Sequence, residues 1–184
     1  MLTLFHDYTS PASAVAVLRL QRLADEGLPI EFEGFEAIGV DAALPVTIDV
    51  IAAIDDLAEA AAAEGLVLRR PDVLPPSARA HLVGVAAEEA GLGASWRQTC
   101  YRALWSDGAD IGDPAVLADL AVEAGLDGQR VRDLLADRVA LAALRRRMAG
   151  HRREGVGGVP TLLAHRTLVP GLLPEDDLRA LAAL

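Results

Sequence analysis

Hydrophobic and polar positions follow three different patterns in the first part of the chain. Residues 2–7 have the mixed faces of a short strand, and residues 28–35 alternate like a second one. Between them, residues 12–26 carry apolar side chains three to four positions apart, which is typical of a helix that buries one face. A strand, a helix and a strand in this order imply a right-handed crossover between two parallel strands.

Helical patterns dominate the middle of the chain, where strand-like alternation largely disappears. The helices predicted there cover residues 46–64, 77–90, 94–106, 113–124 and 128–153, the last with room for a break. Two short strands at 161–164 and 167–169 follow, joined tightly as in a hairpin, and a final amphipathic helix starts at Pro174.

The complete order is strand-helix-strand, a helical block, then strand-strand-helix. It resembles a thioredoxin-like α/β fold that is interrupted by an all-helical insertion. We predict a discontinuous thioredoxin-like domain made of residues 1–40 and 155–184, and a helical insertion domain made of residues 41–154.

Two loops of this layout carry the candidate chemistry. Ser10 precedes Pro11 at the start of the first helix, where a hydroxyl can cap the helix and free N–H groups favour an anion. Before the third main strand, glycines lead into Val159 and Pro160. Proline fixes its own φ and offers no N–H, and an X-Pro bond is where a cis peptide costs least. This turn resembles the cis-proline loop of the thioredoxin superfamily.

Several motifs resemble one family within that superfamily. The run from Asp7 to Ser13 is similar to the strand-to-helix motif of the DsbA-like group that contains 2-hydroxychromene-2-carboxylate isomerases and kappa-class glutathione transferases. That motif is an aspartate, two residues, then Ser-Pro-aromatic-Ser, from which only Ala12 departs. The likeness continues through residues 103–113, 125–127 and 157–160, so it covers nearly the whole chain in order.

The resemblance carries an expectation about chemistry. Disulfide-exchanging DsbA proteins have Cys-x-x-Cys where this chain has Ser10-Pro11-Ala12-Ser13, and dithiol exchange requires a thiolate. The resemblance implies instead that Ser10 stabilises the thiolate of bound glutathione or another low-molecular-weight thiol. It also implies ligand contacts from Ser13 and from the Gly158-Val159-Pro160 backbone. Plain helix capping by Ser10 is the competing interpretation.

Three other residues are candidates by position. His6 ends the first strand and could act as a base, although a structural histidine explains it as well. Asp7 is the family aspartate, with a structural role favoured over a catalytic one. Arg69 could contact a ligand carboxylate, or could be a solvated loop arginine.

The chain also departs from the family pattern. The positions that bind the γ-glutamyl end of glutathione in kappa-class transferases appear here as Leu172 and Leu173. The isomerases use Lys and Asn in the helical domain, and this sequence contains neither residue type. Two hypotheses follow: a thiol-dependent isomerase or transferase that acts on a small-molecule substrate, or a catalytically degenerate module that binds a small molecule or protein.

Composition narrows the classes of partner. The formal net charge of -10 disfavours nucleic acid and anionic membranes, and all 17 basic residues are arginine. The histidines show no metal-ligand spacing, so we expect no metal. Neither a signal peptide nor an apolar span is evident, which predicts a cytoplasmic protein. The family resemblance suggests a homodimer. The single cysteine, Cys100, lies on the apolar stripe of its helix that is predicted to face the core. The arginines of 145–147 and 152–153 are interpreted as a solvated helix face.

Overall fold

The computed structural model describes residues 1–183, so that Leu184, the last residue of the predicted segment 155–184, lies outside it. The elements follow the predicted order. They are β1 (Leu2–His6), α1 (Pro11–Asp25), β2 (Ile30–Gly34), β3 (Leu44–Pro45), α2 (Ile48–Ala63), β4 (Val73–Leu74), α3 (Ala78–Glu89), α4 (Gly93–Trp105), α5 (Pro114–Glu123), α6 (Gly128–Ala136), α7 (Arg138–Arg153), β5 (Thr161–Ala164), β6 (Thr167–Pro170) and α8 (Glu175–Ala183).

The main sheet has the strand order β2-β1-β5-β6. β1 pairs with β2 in parallel on one side and with β5 in antiparallel on the other. β5 and β6 form an antiparallel hairpin. Phe5 pairs with Thr161 in the last pair of β1 and β5, so the end of β1 and the start of β5 lie at one edge of the sheet. The predicted thioredoxin-like α/β fold with helices between β2 and β5 is confirmed.

Side-chain caps start most of the helices as the sequence predicts. Ser10 and Asp113 each accept a hydrogen bond from a backbone N–H in the first turn of the helix that follows. Asp137 ends α6 and caps α7, which is where the predicted long helix divides. A serine at the N-cap position of α3 predicts a cap, but Ser77 makes no capping hydrogen bond.

A second, two-stranded sheet was not predicted. It pairs Leu44 with Leu74 and Pro45 with Val73 in antiparallel register. Two residues are too few for an alternating pattern to show, and proline is confined to strand edges and ends. This small sheet ties the start of the helical region to the proline-rich connector before α3.

The core depends on a few large side chains because aromatics are scarce. Trp96 and Trp105 are both completely buried, as expected of core residues. The Trp105 indole donates a hydrogen bond of 2.9 Å to the Tyr8 carbonyl, which fixes α4 against the loop before α1. Cys100 is buried beside them, and burial raises the pKa of its thiol well above the ordinary value.

Three arginines of α7 contact the end of β2, although Arg147 and Arg152 are also exposed, in keeping with their interpretation as a solvated face. Arg147 forms an ion pair with Glu33, and Arg145 lies 3.5 Å from Glu36. Arg152 donates to backbone carbonyls just after β2 and covers the Phe35 ring with its guanidinium 4.7 Å from the centroid. The arginine cluster therefore fastens the last helix of the helical region to the edge strand.

The carboxylate of Asp7 joins several elements in the interior, where the residue is only 1 % exposed. It accepts hydrogen bonds from the Thr9 N–H at 3.2 Å, the Ala37 N–H at 2.7 Å and His81 Nε2 at 3.4 Å. Burial alone would raise the pKa of Asp7, but the hydrogen bonds and the charge of His81 outweigh it and lower that pKa. Asp7 therefore holds the β1–α1 loop, the chain after β2 and α3 together as an anion.

We predict that Asp7→Asn lowers the free energy of unfolding at pH 7 by about 2–4 kcal/mol, because an amide nitrogen then faces buried N–H donors. Since the folded-state pKa of Asp7 is lowered, its contribution is complete above the unfolded pKa. It is lost as the pH falls through the folded pKa. The gap between variant and parent should therefore shrink below about pH 4, as measured by urea unfolding at several pH values.

Asp119→Asn is the matched control, because Asp119 is an exposed residue of α5. Its free energy of unfolding should stay within about 0.5 kcal/mol of the parent. An Asp7→Asn variant as stable as this control at pH 7 would contradict the proposed joining role.

Candidate functional site

Ser10 is held in position by the backbone that leaves β1. Its N–H donates to the Asp7 carbonyl at 3.1 Å, and its Oγ accepts the Ser13 N–H at 3.1 Å. A hydroxyl oxygen has one proton to donate besides its lone pairs. Capping uses only a lone pair of Ser10, so the O–H of this half-buried residue stays free to donate to a ligand.

The first turn of α1 presents one further donor beside that hydroxyl. Pro11 has no N–H, and the Ser13 N–H is already bonded to Ser10. The Ala12 N–H has no partner within residues 1–183. The helix N-terminus adds its partial positive charge at the same place. The site can therefore stabilise a single anionic atom with a hydroxyl, an amide and the helix field.

The Val159-Pro160 peptide bond is cis, and the residues around Val159 are fixed. The Gly158 carbonyl accepts the Thr161 hydroxyl at 2.7 Å, and the Pro160 carbonyl accepts the Gly171 N–H at 2.8 Å. In the part of the chain that the structure describes, neither the N–H nor the C=O of Val159 has a backbone partner. Val159 therefore offers an open pair of backbone groups to an extended ligand, as β-strand addition requires.

The sheet brings these two loops to the same edge. β1 ends at His6 and leads to Ser10, while β5 begins at Thr161 directly after Val159 and Pro160. Because β1 and β5 are antiparallel neighbours, the two loops leave the sheet side by side. The predicted pairing of Ser10 with the proline loop is therefore the arrangement that the topology favours.

Ser13 and Asp7 support the loop from inside. Ser13 is completely buried, and its Oγ accepts the Asp7 N–H at 3.3 Å. The bonds to the Asp7 carboxylate place that group within the core, in keeping with the structural role favoured for it. A direct contact of Ser13 with a ligand stays a prediction.

His6 faces away from this loop. It is 3 % exposed, and its Nδ1 lies 2.9 Å from the Tyr101 hydroxyl. Burial is the main reason that its pKa lies well below the ordinary value, and the charges of His81 and Arg97 lower that pKa further. His6 is therefore neutral at pH 7, and it lines a separate cavity that neither Ser10 nor Val159 borders.

Two further places in the chain were singled out by the sequence analysis. Arg69 is exposed and is held by its backbone N–H, 2.7 Å from the Trp105 carbonyl; its side chain has no polar partner among residues 1–183. Leu172 and Leu173 pack with Leu4 and Leu20 beside α1, so they belong to the main core. A contact of Arg69 with a ligand carboxylate stays a prediction.

Sequence reasoning missed the polar residues that support the loop from the helical region. His81 reaches Asp7 from a distance of 74 positions along the chain, and Tyr101 donates to the Asp7 carbonyl at 3.2 Å. Both residues sit in ordinary helical patterns, so nothing local marks them. A buried carboxylate in a motif does require donors, which is the one signal that could have prompted a search.

Two further observations concern metal ligands and membrane-spanning helices. Within residues 1–183, no cluster of three or more His, Cys, Asp or Glu side chains is arranged to hold a metal ion. None of the helices in the described part of the chain combines the length and apolar character needed to cross a membrane.

Comparisons with known proteins agree on the fold. The family model of the DSBA-like thioredoxin domain matches residues 1–182. A probable DsbA oxidoreductase from Streptomyces coelicolor has a TM-score of 0.85 at 26% identity, over 99% of this chain and 88% of that protein. No curated protein matches the sequence significantly.

Two other solved structures are similar in fold. A 2-hydroxychromene-2-carboxylate isomerase has a TM-score of 0.79 at 22% identity, over 99% of this chain and 92% of that one. The cytosolic disulfide reductase DsbM from Pseudomonas aeruginosa, solved with glutathione, has a TM-score of 0.71 at 24% identity, over 99% of this chain and 95% of that one. The match of the family model and the Ser10 motif at the edge of the sheet lead to one conclusion: the chain belongs to the DsbA-like thioredoxin-domain family.

Proposed function

We propose that this protein is a thiol-dependent isomerase or transferase in which Ser10 stabilises the thiolate of a bound low-molecular-weight thiol. One observation carries the proposal. The free O–H of Ser10 and the unpaired backbone of Val159 lie on neighbouring loops at one edge of the sheet. The first suits a sulfur anion, and the second suits the peptide-like part of a thiol such as glutathione.

The expected gain comes from charge stabilisation. A hydrogen bond to a charged group contributes about 1.5–3 kcal/mol, and a helix N-terminus adds about 0.3–1 kcal/mol for a nearby anion. Together they correspond to a lowering of the ligand thiol pKa by about one to three units. A thiol with an ordinary pKa near 8.5 is only about 3 % thiolate at pH 7, and this lowering would raise its nucleophilic thiolate fraction to between about a quarter and nearly all of the thiol.

The missing cysteines decide the reaction class. Cys100 is the only cysteine in the sequence. Its thiol is buried, so it is not accessible for thiol–disulfide exchange. The proposed reactions need no oxidant: a thiolate adds to an electrophilic carbon and forms a C–S bond. In transfer a leaving group departs with the bonding electrons. In isomerisation the C–S bond breaks again after rotation, which returns the thiolate.

Glutathione is the first thiol to consider, because the similar disulfide reductase was solved with it and an isomerase shares the fold. Leu172 and Leu173 pack into the core and provide no polar contact for a γ-glutamyl group, so another thiol is a direct alternative. The cytosolic neighbour is consistent with the predicted cytoplasmic location. A homodimer stays a prediction.

We predict that one of three thiols, glutathione, mycothiol or coenzyme A, raises the melting temperature of the protein in a concentration-dependent way. Ligand at tenfold its Kd adds about 1.4 kcal/mol, which corresponds to about 3–5 °C for a chain of this size. Ser10→Ala should weaken this binding about tenfold or more, because the hydrogen bond to the thiolate is lost. Differential scanning fluorimetry measures both effects.

Ser95→Ala provides the control, since Ser95 lies in α4 and its hydroxyl has no hydrogen-bond partner in residues 1–183. The S-methyl derivative of the active thiol is the matched ligand, because it cannot ionise at sulfur. A shift that is equal for Ser10→Ala and the parent would remove the thiolate role. No shift with any thiol at millimolar concentration would favour the degenerate binding module instead.

Ser10→Cys tests the local field without any ligand. The new thiol would replace a hydroxyl at the N-terminus of α1, so we predict a reactivity midpoint at or below about pH 7.5 with Ellman's reagent. The parent should be unreactive while folded, because Cys100 is buried and its pKa is raised.

Ser106→Cys is the matched control at the opposite kind of helix end, since Ser106 is the C-cap of α4. Its thiol should titrate near or above the ordinary value of about 8.5, as expected beside helix carbonyls. If the two variants react with the same pH midpoint, the start of α1 has no special affinity for a sulfur anion.

A further inference from the structure

A cavity of about 240 Å³ lies between the edge strand β2 and the helices α3, α4 and α7. It is separate from the Ser10 loop, because none of Ser10, Ser13, Val159 or Pro160 borders it. Its inner end is formed by His6, Tyr8 and His81. Near its outer side, Phe32 and Arg97 also border an adjoining surface groove, which gives a route from solvent.

Hydrogen bonding leaves His6 Nε2 without a partner inside the cavity, beside the Tyr8 hydroxyl, which also has none within residues 1–183. The Tyr101 hydroxyl lies 3.2 Å from the Asp7 carbonyl, which can only accept, and we assign its single proton to this bond. The Tyr101 oxygen must then accept from His6 Nδ1, at 2.9 Å. A neutral imidazole with its proton on Nδ1 has a lone pair on Nε2, and no group within residues 1–183 donates to it.

The remaining walls indicate an uncharged aromatic occupant. The rings of Tyr8, Phe32 and Trp96 line the cavity. Arg97 is already bonded to Glu88 and lies over the Phe32 ring, 3.9 Å from its centroid. Arg147, the other lining cation, forms its ion pair with Glu33. The lining arginines therefore have carboxylate partners, and the lining charge without an ion pair in residues 1–183 is the exposed carboxylate of Glu89, which disfavours an anionic ligand.

Two glycines keep the space open. An added Cβ at Gly84 would lie 3.2 Å from the Tyr8 hydroxyl and 3.4 Å from the Trp96 ring, and one at Gly34 would collide with His81. Gly84 lies within α3, where glycine is unfavourable, so its presence has a packing reason. The volume exceeds that of the engineered cavity of about 150 Å³ that binds benzene, and is below that of drug-sized pockets.

We propose that this cavity binds a phenol-type molecule, a single uncharged aromatic ring whose hydroxyl donates a hydrogen bond to Nε2 of His6. The rings of Tyr8, Phe32 and Trp96 would contact the ligand ring, and the neutral imidazole would select molecules that carry a donor. Selectivity of this kind is strong because a buried acceptor left without a donor is costly.

The test compares three fluorinated probes by ¹⁹F NMR on the full chain: 4-fluorophenol, 4-fluoroanisole and 4-fluorobenzoate. We expect 4-fluorophenol to bind the parent with at least tenfold higher affinity than the other two. The anisole keeps the ring but has no donor, and the benzoate brings a charge without a free partner. Equal affinities for the three probes would overturn the proposal. So would the absence of 4-fluorophenol binding up to about 20 mM, a concentration at which even a weak fragment binds.

Variants at His6 form a matched pair. His6→Gln keeps a polar group that can accept at the position of Nε2, whereas His6→Asn keeps one only near Nδ1. We expect 4-fluorophenol affinity to fall less than fivefold in the first and at least tenfold in the second. Equal affinity of His6→Asn and the parent would overturn the role of His6.

Gly84→Ala covers the case in which a His6 variant fails to fold, since alanine favours the helix but places a methyl group against Tyr8 and Trp96. We expect it to lower 4-fluorophenol affinity at least threefold, and unchanged affinity would contradict binding in this cavity. Gly150→Ala in α7 is the control, because its added Cβ would meet only the end of Arg153 at 3.9 Å. These assays contain no thiol, so they succeed or fail independently of the thiolate proposal.

Discussion

The buried carboxylate of Asp7 is the interaction on which the rest of the structure depends. Donors from the loop before α1, from the chain after β2 and from α3 converge on its two oxygens. Its own carbonyl receives the Ser10 N–H and the Tyr101 hydroxyl. An anion inside a protein is tolerated only when such partners surround it. The same bonds that satisfy the charge therefore also set the position of the helix start at Ser10.

Features encoded over short distances could be predicted from the sequence. The order of strands and helices follows from the apolar period, and the caps at Ser10 and Asp113 follow from residue type beside a helix start. Features that join distant segments could not. His81 meets Asp7 across 74 positions and Arg147 meets Glu33 across 114, without any periodic signal. Ser77 shows the limit of residue type as a signal, since it stands at the N-cap of α3 without a capping hydrogen bond.

The loop pair at the edge of the sheet shows which parts of a thiol site belong to the fold. The free O–H of Ser10, the helix start and the open backbone of Val159 are all present without a cysteine. They form because of capping, sheet register and the bonds that fix Gly158 and Pro160. In the proposed function, this edge of the sheet is the place that receives the sulfur anion of a ligand. The reacting atom is the part that the sequence can change at least structural cost.

Gly34 and His81 together restrict which substitutions this part of the structure can accept. A Cβ at position 34 would lie 2.5 Å from Nδ1 of His81, so the strand can carry a side chain only after the imidazole has been lost. That imidazole is also a donor to Asp7, and its loss would leave the carboxylate with one partner fewer. Positions 7, 34 and 81 are therefore structurally coupled, through one close packing contact and one hydrogen bond, so a substitution at any of them changes the surroundings of the other two.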